Sequence, residues 1–219
     1  MLTYNDIKKN NNIREYIIRA DQSLCVLGYT EHSFAHVEKV ASTVEYILVT
    51  MGFSEHDIEL AKIAAYLHDI GNLVNRVEHS QSGAIMAFRL LDNMGMPAQD
   101  IASIVTAIGN HDEGTGVPVN HIAAALILAD KSDVRRSRVR NHDVSTFDIH
   151  DRVNYSVVSS KLNIDKDNSS ILLDLSIDPR YSSVMEYFEI FLDRMILCRK
   201  AAECLKLVFH LSINDQRVL

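Results

Sequence analysis

The chain has 219 residues, a formal net charge of −7 and 47 % hydrophobic residues. A chain of this size and apolar content can bury roughly 70 % of its unfolded surface, which excludes intrinsic disorder. The acidic balance argues against general nucleic-acid binding. With only 8 glycines, 3 prolines and no tryptophan, many short strands joined by tight turns are unexpected and a mainly α class is predicted.

The N-terminal MLTYNDIKKN lacks the apolar centre of a signal peptide, so a cytoplasmic protein is expected. From Asp6 to about Arg140 the chain reads as successive helices broken at Gly28, Gly52, Gly71, Gly95-Met96-Pro97 and Gly114 to Pro118. Gly52 closes one helix, and Ser54 with Asp57 opens the next, whose segment Ile58 to Leu67 is apolar nearly all round and predicts a buried central helix. The longest apolar run, Ile122 to Ala129, is eight residues, far short of the ~20 that span a bilayer, so no membrane partner is expected. Cys25, Cys198 and Cys204 lack metal-ligand spacing and read as small buried hydrophobes of a reducing compartment.

After Phe147 the period changes. Arg152 to Ile164 reads as a strand with a bulge, Ile171, Leu173, Leu175 and Ile177 alternate as its hairpin partner, and Pro179 ends the strand. A long helix follows, with Val184, Phe188, Phe191, Met195, Cys198, Ala202 and Leu205 at alternating spacings of four and three, then the alternating segment Leu207 to Ile213. The stripe reads as core, with length enough for a homodimer contact. The predicted organisation is a helical domain over 1–142, a β-hairpin segment over 143–181, and a helix and strand over 182–219 that pack on the same domain. The sheet is expected to be small and antiparallel.

Ten histidines direct attention to those beside carboxylates at helix ends. His36, His68-Asp69, His79, His111 and Asp130 stand out. Imidazole with carboxylate is the ligand chemistry of Zn, Fe, Mn or Ni. In this order the residues resemble the H…HD…D signature of the HD-domain metal-dependent phosphohydrolase superfamily, over roughly residues 31–140. His79 and His111 resemble the two-metal version of that site, and the loop Asn110 to Pro118 is similar to that of the HD-GYP branch. Departures from the branch are Asn110-His111 in place of a His-His pair, Asn72 where a lysine often follows HDIG, and Val117 in place of the tyrosine.

The resemblance implies hydrolysis of a phosphate ester or anhydride of a nucleotide or other small phosphorylated metabolite by metal-activated water, with His68 and Asp69 as the catalytic pair. It implies one or two divalent ions (Fe, Mn, Zn, Ni or Co), the first on His36, His68, Asp69 and Asp130, the second on His79 and His111 with Asp69 bridging. Two other readings stand beside it, a di-iron oxygenase of the same superfamily and a regulatory module that binds a nucleotide without turnover. Phosphate needs cations. Lys131, Arg135 and Arg138 fall at i, i+4 and i+7 of one predicted helix face, and Arg76 lies on the connection between two ligand candidates. Asn72 and Asp133, the latter able to fix an arginine or position water, complete the substrate-binding candidates. His56, His121, His142 and His210 read as ordinary hydrogen-bonded residues, and Asp148-Ile149-His150-Asp151 as a turn or cap; His32, one helical turn before His36 and on its face, reads first as solvated and second as a contact to a ligand candidate or to substrate.

Overall fold

A computed structural model describes residues 2–219. The helices are α1 (Tyr4–Lys9), α2 (Asn11–Val26), α3 (Phe34–Met51), α4 (Glu55–Leu67), α5 (His79–Asn93), α6 (Ala98–Gly109), α7 (His121–Ser132), α8 (Ile149–Ser156) and α9 (Val184–Cys204). The strands are β1 (Val157–Asp165), β2 (Ser170–Ile177), β3 (Val208–Ile213) and β4 (Gln216–Arg217). The chain is mainly α with a small sheet near the C-terminus.

Helix α4 is the centre of the bundle. Gly52 takes the left-handed conformation at φ 79° and closes α3, and the Ser54 hydroxyl accepts from the Asp57 N–H to open α4. The residues Leu60, Ala61 and Ile63 to Leu67 are all buried, as the apolar pattern predicts. Helices α3, α6 and α7 pack around α4, and in α7 every residue from Ile122 to Ala129 is buried. Helix α9 lies against α7.

The sheet has the order β1-β2-β3-β4. β1 and β2 form the predicted antiparallel hairpin, with the bulge between Val157 and Ser159. The strand is shorter than the alternation indicates, because Asp148 caps α8 and keeps Arg152 to Ser156 helical. The expectation of a purely antiparallel sheet is corrected: β3 runs parallel to β2, Ser170 opposite Val208 through Leu175 opposite Ile213, and β4 is antiparallel to β3. The 21-residue α9, about 30 Å long, carries the chain back to the end of the sheet at which β2 starts, as parallel neighbours require. Among the described residues no helix is long and apolar enough to cross a membrane. Of the cysteines, Cys198 is buried in the stripe, whereas Cys25 and Cys204 are exposed near helix ends, which corrects the expectation for those two.

Candidate metal centre

Five segments bring their helix ends to one place. His36 stands in the first turn of α3, His68 caps the C-terminus of α4, Asp69 begins a short 3-10 turn (Ile70–Leu73), His79 opens α5, His111 follows α6, and Asp130 sits in the last turn of α7. Gly71 makes the convergence possible. A Cβ there would lie 2.0 Å from the His79 carbonyl oxygen and 2.4 Å from the Gly83 nitrogen, so only glycine lets the start of α5 approach the His68-Asp69 turn.

The rings are aimed by their outer nitrogens. Nδ1–H donates to the Asp133 carboxylate from His36 (2.8 Å), to the Ala65 carbonyl from His68 (2.7 Å), to the Arg76 carbonyl from His79 (3.1 Å) and to the Ile108 carbonyl from His111 (2.6 Å). A carbonyl or carboxylate oxygen only accepts, so each proton is on Nδ1 when the ring is neutral, and each Nε2 lone pair faces inward. This is the tautomer, and the hydrogen bond from the outer ring nitrogen to an oxygen, that holds metal-ligating histidines.

Inside that frame, His36 Nε2 lies 3.3 Å from Asp130 Oδ1 and 3.6 Å from Asp69 Oδ2, and His68 Nε2 lies 3.2 Å from Asp69 Oδ2 and 3.7 Å from Asp130 Oδ1. His79 Nε2 lies 3.4 Å from Asp69 Oδ1 and 3.2 Å from His111 Nε2. Two donor atoms on one ion at ~2.0–2.2 Å are separated by roughly 3–3.5 Å. The buried Nε2 atoms of His36 and His68 have no hydrogen-bond partner, an arrangement that is costly unless a cation completes it. Two sets of donors each close to within 4.8 Å, His36 with His68 and Asp130, and His68 with Asp69 and His111. The residues therefore fit one or two divalent transition-metal ions.

Charge follows the same geometry. Burial pushes Asp69 and Asp130 up, but the neighbouring His68 and Lys131 charges hold both well below the usual carboxylate range. Burial pushes His68 down, and the negative charges of Asp69 and Asp130 outweigh it and raise the imidazole to about 10. His79 and His111 are lowered by burial, so they are neutral at pH 7.

The centre lies at the base of a cavity of about 380 Å³ that Asp69, His79, His111, Asp130, Arg76 and Lys131 help to line. Arg76 donates to Asn72 Oδ1 (3.4 Å) and His79 Nε2 (3.3 Å) and lies over the Tyr29 ring, with no carboxylate in ion-pair reach among the described residues. Lys131 is buried between Asp130 Oδ2 (2.8 Å) and Glu113 Oε2 (2.9 Å).

Three of the substrate-binding candidates do not line this cavity. Asn72 is buried and donates to Asp69 Oδ1 (3.0 Å) and the Asp69 carbonyl (2.9 Å), so it orients a ligand candidate. Asp133 holds His36 and, by its carbonyl and carboxylate, Arg138 and Arg135; it does fix arginines, of which Arg138 lines the cavity and Arg135 does not, and Asp133 itself stands outside the lining. Arg135 pairs with Asp133 and Glu31 and lines a separate groove. The predicted face of Lys131, Arg135 and Arg138 does not exist, because α7 ends at Ser132 and Arg136–Arg138 form a 3-10 turn.

Other residues of the site were read differently in the sequence or not singled out. The His32 ring, read as solvated, lines the cavity, donates from Nδ1 to the Thr30 carbonyl at 2.6 Å and is lowered well below the usual imidazole range by burial. Its placement one turn before His36 was the available signal. Asp148 caps α8 as expected, and it also lines the cavity with His150 and Asp151. Glu113 and Arg194 were not singled out; Arg194 stands three residues after Phe191, beside the apolar stripe. His56 meets Asp100 at 3.0 Å, as an ordinary paired histidine does, and His121 Nε2 lies 3.3 Å from Asp57 Oδ1 without a hydrogen bond among the described residues, its ring stacked on Phe53.

The HD domain family model matches residues 33–153, more than half of the chain. The chain belongs to the HD domain family. An uncharacterized protein of Methanocaldococcus jannaschii is 25 % identical over 162 residues, covering 64 % of this chain; the chain spans 62 % of that relative's length. The crystal structure of a predicted HD superfamily hydrolase from an uncultured Thermotogales bacterium shares 24 % identity and a TM-score of 0.45, over 57 % of this chain and 67 % of that one.

Proposed function

We propose that this protein is a metal-dependent phosphohydrolase that cleaves a phosphate ester or anhydride of a nucleotide or other small phosphorylated metabolite. The observation that carries the reading is the pair of buried, unpartnered Nε2 atoms of His36 and His68, set beside two carboxylates below a cavity that presents the uncompensated Arg76. A bound divalent ion supplies there a water acidified from ~15.7 toward ~7 and neutralises charge on phosphoryl oxygens.

The chain's own residues do the rest. Asp133 and the Ala65 carbonyl keep His36 and His68 in the ligating tautomer. Asn72 holds the Asp69 carboxylate in place from behind. Arg76 supplies a planar fork of donors for a phosphoryl group. The cavity, about 380 Å³, is at the small-metabolite end of the range for ligand sites of ~300–1,000 Å³.

The test is turnover of a panel of nucleotides and phosphate monoesters by protein loaded with Mn, Fe, Co, Ni or Zn, with metal content measured on the same preparation. Anaerobic release of phosphate that requires the ion is the expected result. Metal binding without any phosphate release, or turnover only with oxygen consumption, overturns the reading.

A further inference from the structure

Helix α9 lies wholly outside the segment matched to the HD family, yet Phe191 and Arg194 of α9 line the same cavity as Asp69, His79, His111 and Asp130. Arg194 is fixed from two directions. Its Nε lies 2.5 Å from Glu113 Oε1, and its guanidinium carbon is 4.4 Å from the centroid of the Phe191 ring. No carboxylate other than Glu113 is within ion-pair reach of Arg194 among the described residues, and Glu113 also holds Lys131 at 2.9 Å. One carboxylate thus serves two cations. An arginine carries five N–H donors in a rigid fork. The contact at Nε and the ring against one face leave the Nη edge to meet a ligand.

Arg76 is a second arginine held against an aromatic ring in the same cavity. It lies over an aromatic ring, Tyr29, at 5.5 Å, lines the cavity, and reaches His79 Nε2 at 3.3 Å. Arg194 is tied to Glu113, two residues after His111. The two arginines therefore come from different elements, one bonded directly to the His79 end of the imidazole pair and the other linked to the His111 segment. Each has little rotamer freedom left to lose on binding an anion, which is how a preorganised arginine binds phosphate in two-point fashion.

We infer that Arg194 is a substrate-binding residue that grips phosphoryl oxygens of the phosphorylated substrate together with Arg76, so that the site extends from the family segment onto α9. This rests on the phosphohydrolase reading above. A purely structural Arg194 would tether the loop 110–118 to α9 and touch no ligand.

Inorganic phosphate is the probe, titrated calorimetrically into full-length metal-loaded protein, alongside KM and kcat for whichever panel compound is turned over. R194A is expected to weaken phosphate binding and raise KM by ten-fold or more, with metal content unchanged, and millimolar guanidinium should restore part of the binding. R194K, which keeps the charge and the Glu113 pair but not the fork, is expected to lose at least three-fold; it serves also if R194A does not fold. Phosphate affinity and KM within two-fold of wild type in whichever of these variants folds overturn the inference while leaving the phosphohydrolase reading intact. Wild-type protein that binds no phosphate and turns over nothing in the panel overturns both.

Discussion

Asp133 accepts a hydrogen bond from His36 Nδ1 at 2.8 Å, and its other oxygen is held by Arg135 Nε at 2.8 Å. The carboxylate is buried; burial works to raise its pKa, but His36, Arg138 and Arg135 hold it below the usual carboxylate range. It is thus an ionised acceptor that fixes the His36 tautomer and increases the basicity of Nε2. D133A should lower metal affinity roughly 10–100-fold, the range found for removing such outer partners, while the bundle stays folded. Competition with a chromophoric chelator measures this; unchanged affinity would show that Asp133 serves only the arginines.

Asp69 stands within 3.6 Å of His36, His68 and His79. D69N removes the negative charge that all three imidazoles face and replaces one oxygen with an N–H₂ donor turned toward a lone pair. Metal content and phosphate release should be lost together. Elemental analysis and turnover on the same sample decide it, and a variant with full metal and full activity would remove Asp69 from the centre.

In the metal-free protein His68 is raised to about 10, so it carries a proton at pH 7 that it must lose before it can ligate, whereas His79 and His111 are already neutral. Metal binding at neutral pH should therefore release about one proton per chain, from His68, and affinity should increase with pH. Titration calorimetry in two buffers of different ionisation enthalpy reads the proton directly. For folding the sign is the same as for any raised base: the His68 contribution to the stability of the metal-free chain is fully present below about 6.5 and is lost as pH rises through about 10.

Gly71→Ala should be severe for a side chain of one carbon. Its Cβ meets two backbone atoms at 2.0 and 2.4 Å, which cannot rotate away, so the start of α5 must move. A cost at the upper end of the ~1–3 kcal/mol for overpacking corresponds to a Tm fall of roughly 6–12 °C at this chain length. Metal affinity should fall as well, because His79 moves with the helix. Thermal unfolding of the metal-free variant separates the two effects.

Much of this protein could be read from local pattern. The all-round apolar segment Ile58 to Leu67 placed α4 in the centre, Gly52 and Ser54 marked a helix boundary, and His36, His68, Asp69, His79, His111 and Asp130 were singled out because each stands at a helix end, where adjacent residues can reach a common point. Such signals lie within one turn or one element. The parts that were misread depend on which surfaces meet. The face expected for Lys131, Arg135 and Arg138 presumed that α7 continues, but the helix stops where Asp133 turns inward to His36. The direction of β3 depends on how α9 crosses the sheet, and no alternation of apolar residues records that.

The order of residues alone therefore determined the helical class, the central helix α4 and the set of candidate ligands, since periodicity and capping act over a few bonds. Only the tertiary structure decided which polar atoms are left without partners, that Asn72 and Asp133 hold the ligand candidates Asp69 and His36 instead of lining the cavity, and that Arg194 stands at the cavity wall. Those roles come from contacts between residues as far apart as His36 and Asp133, 97 positions along the chain, and such pairings are chosen by the packing of the whole core.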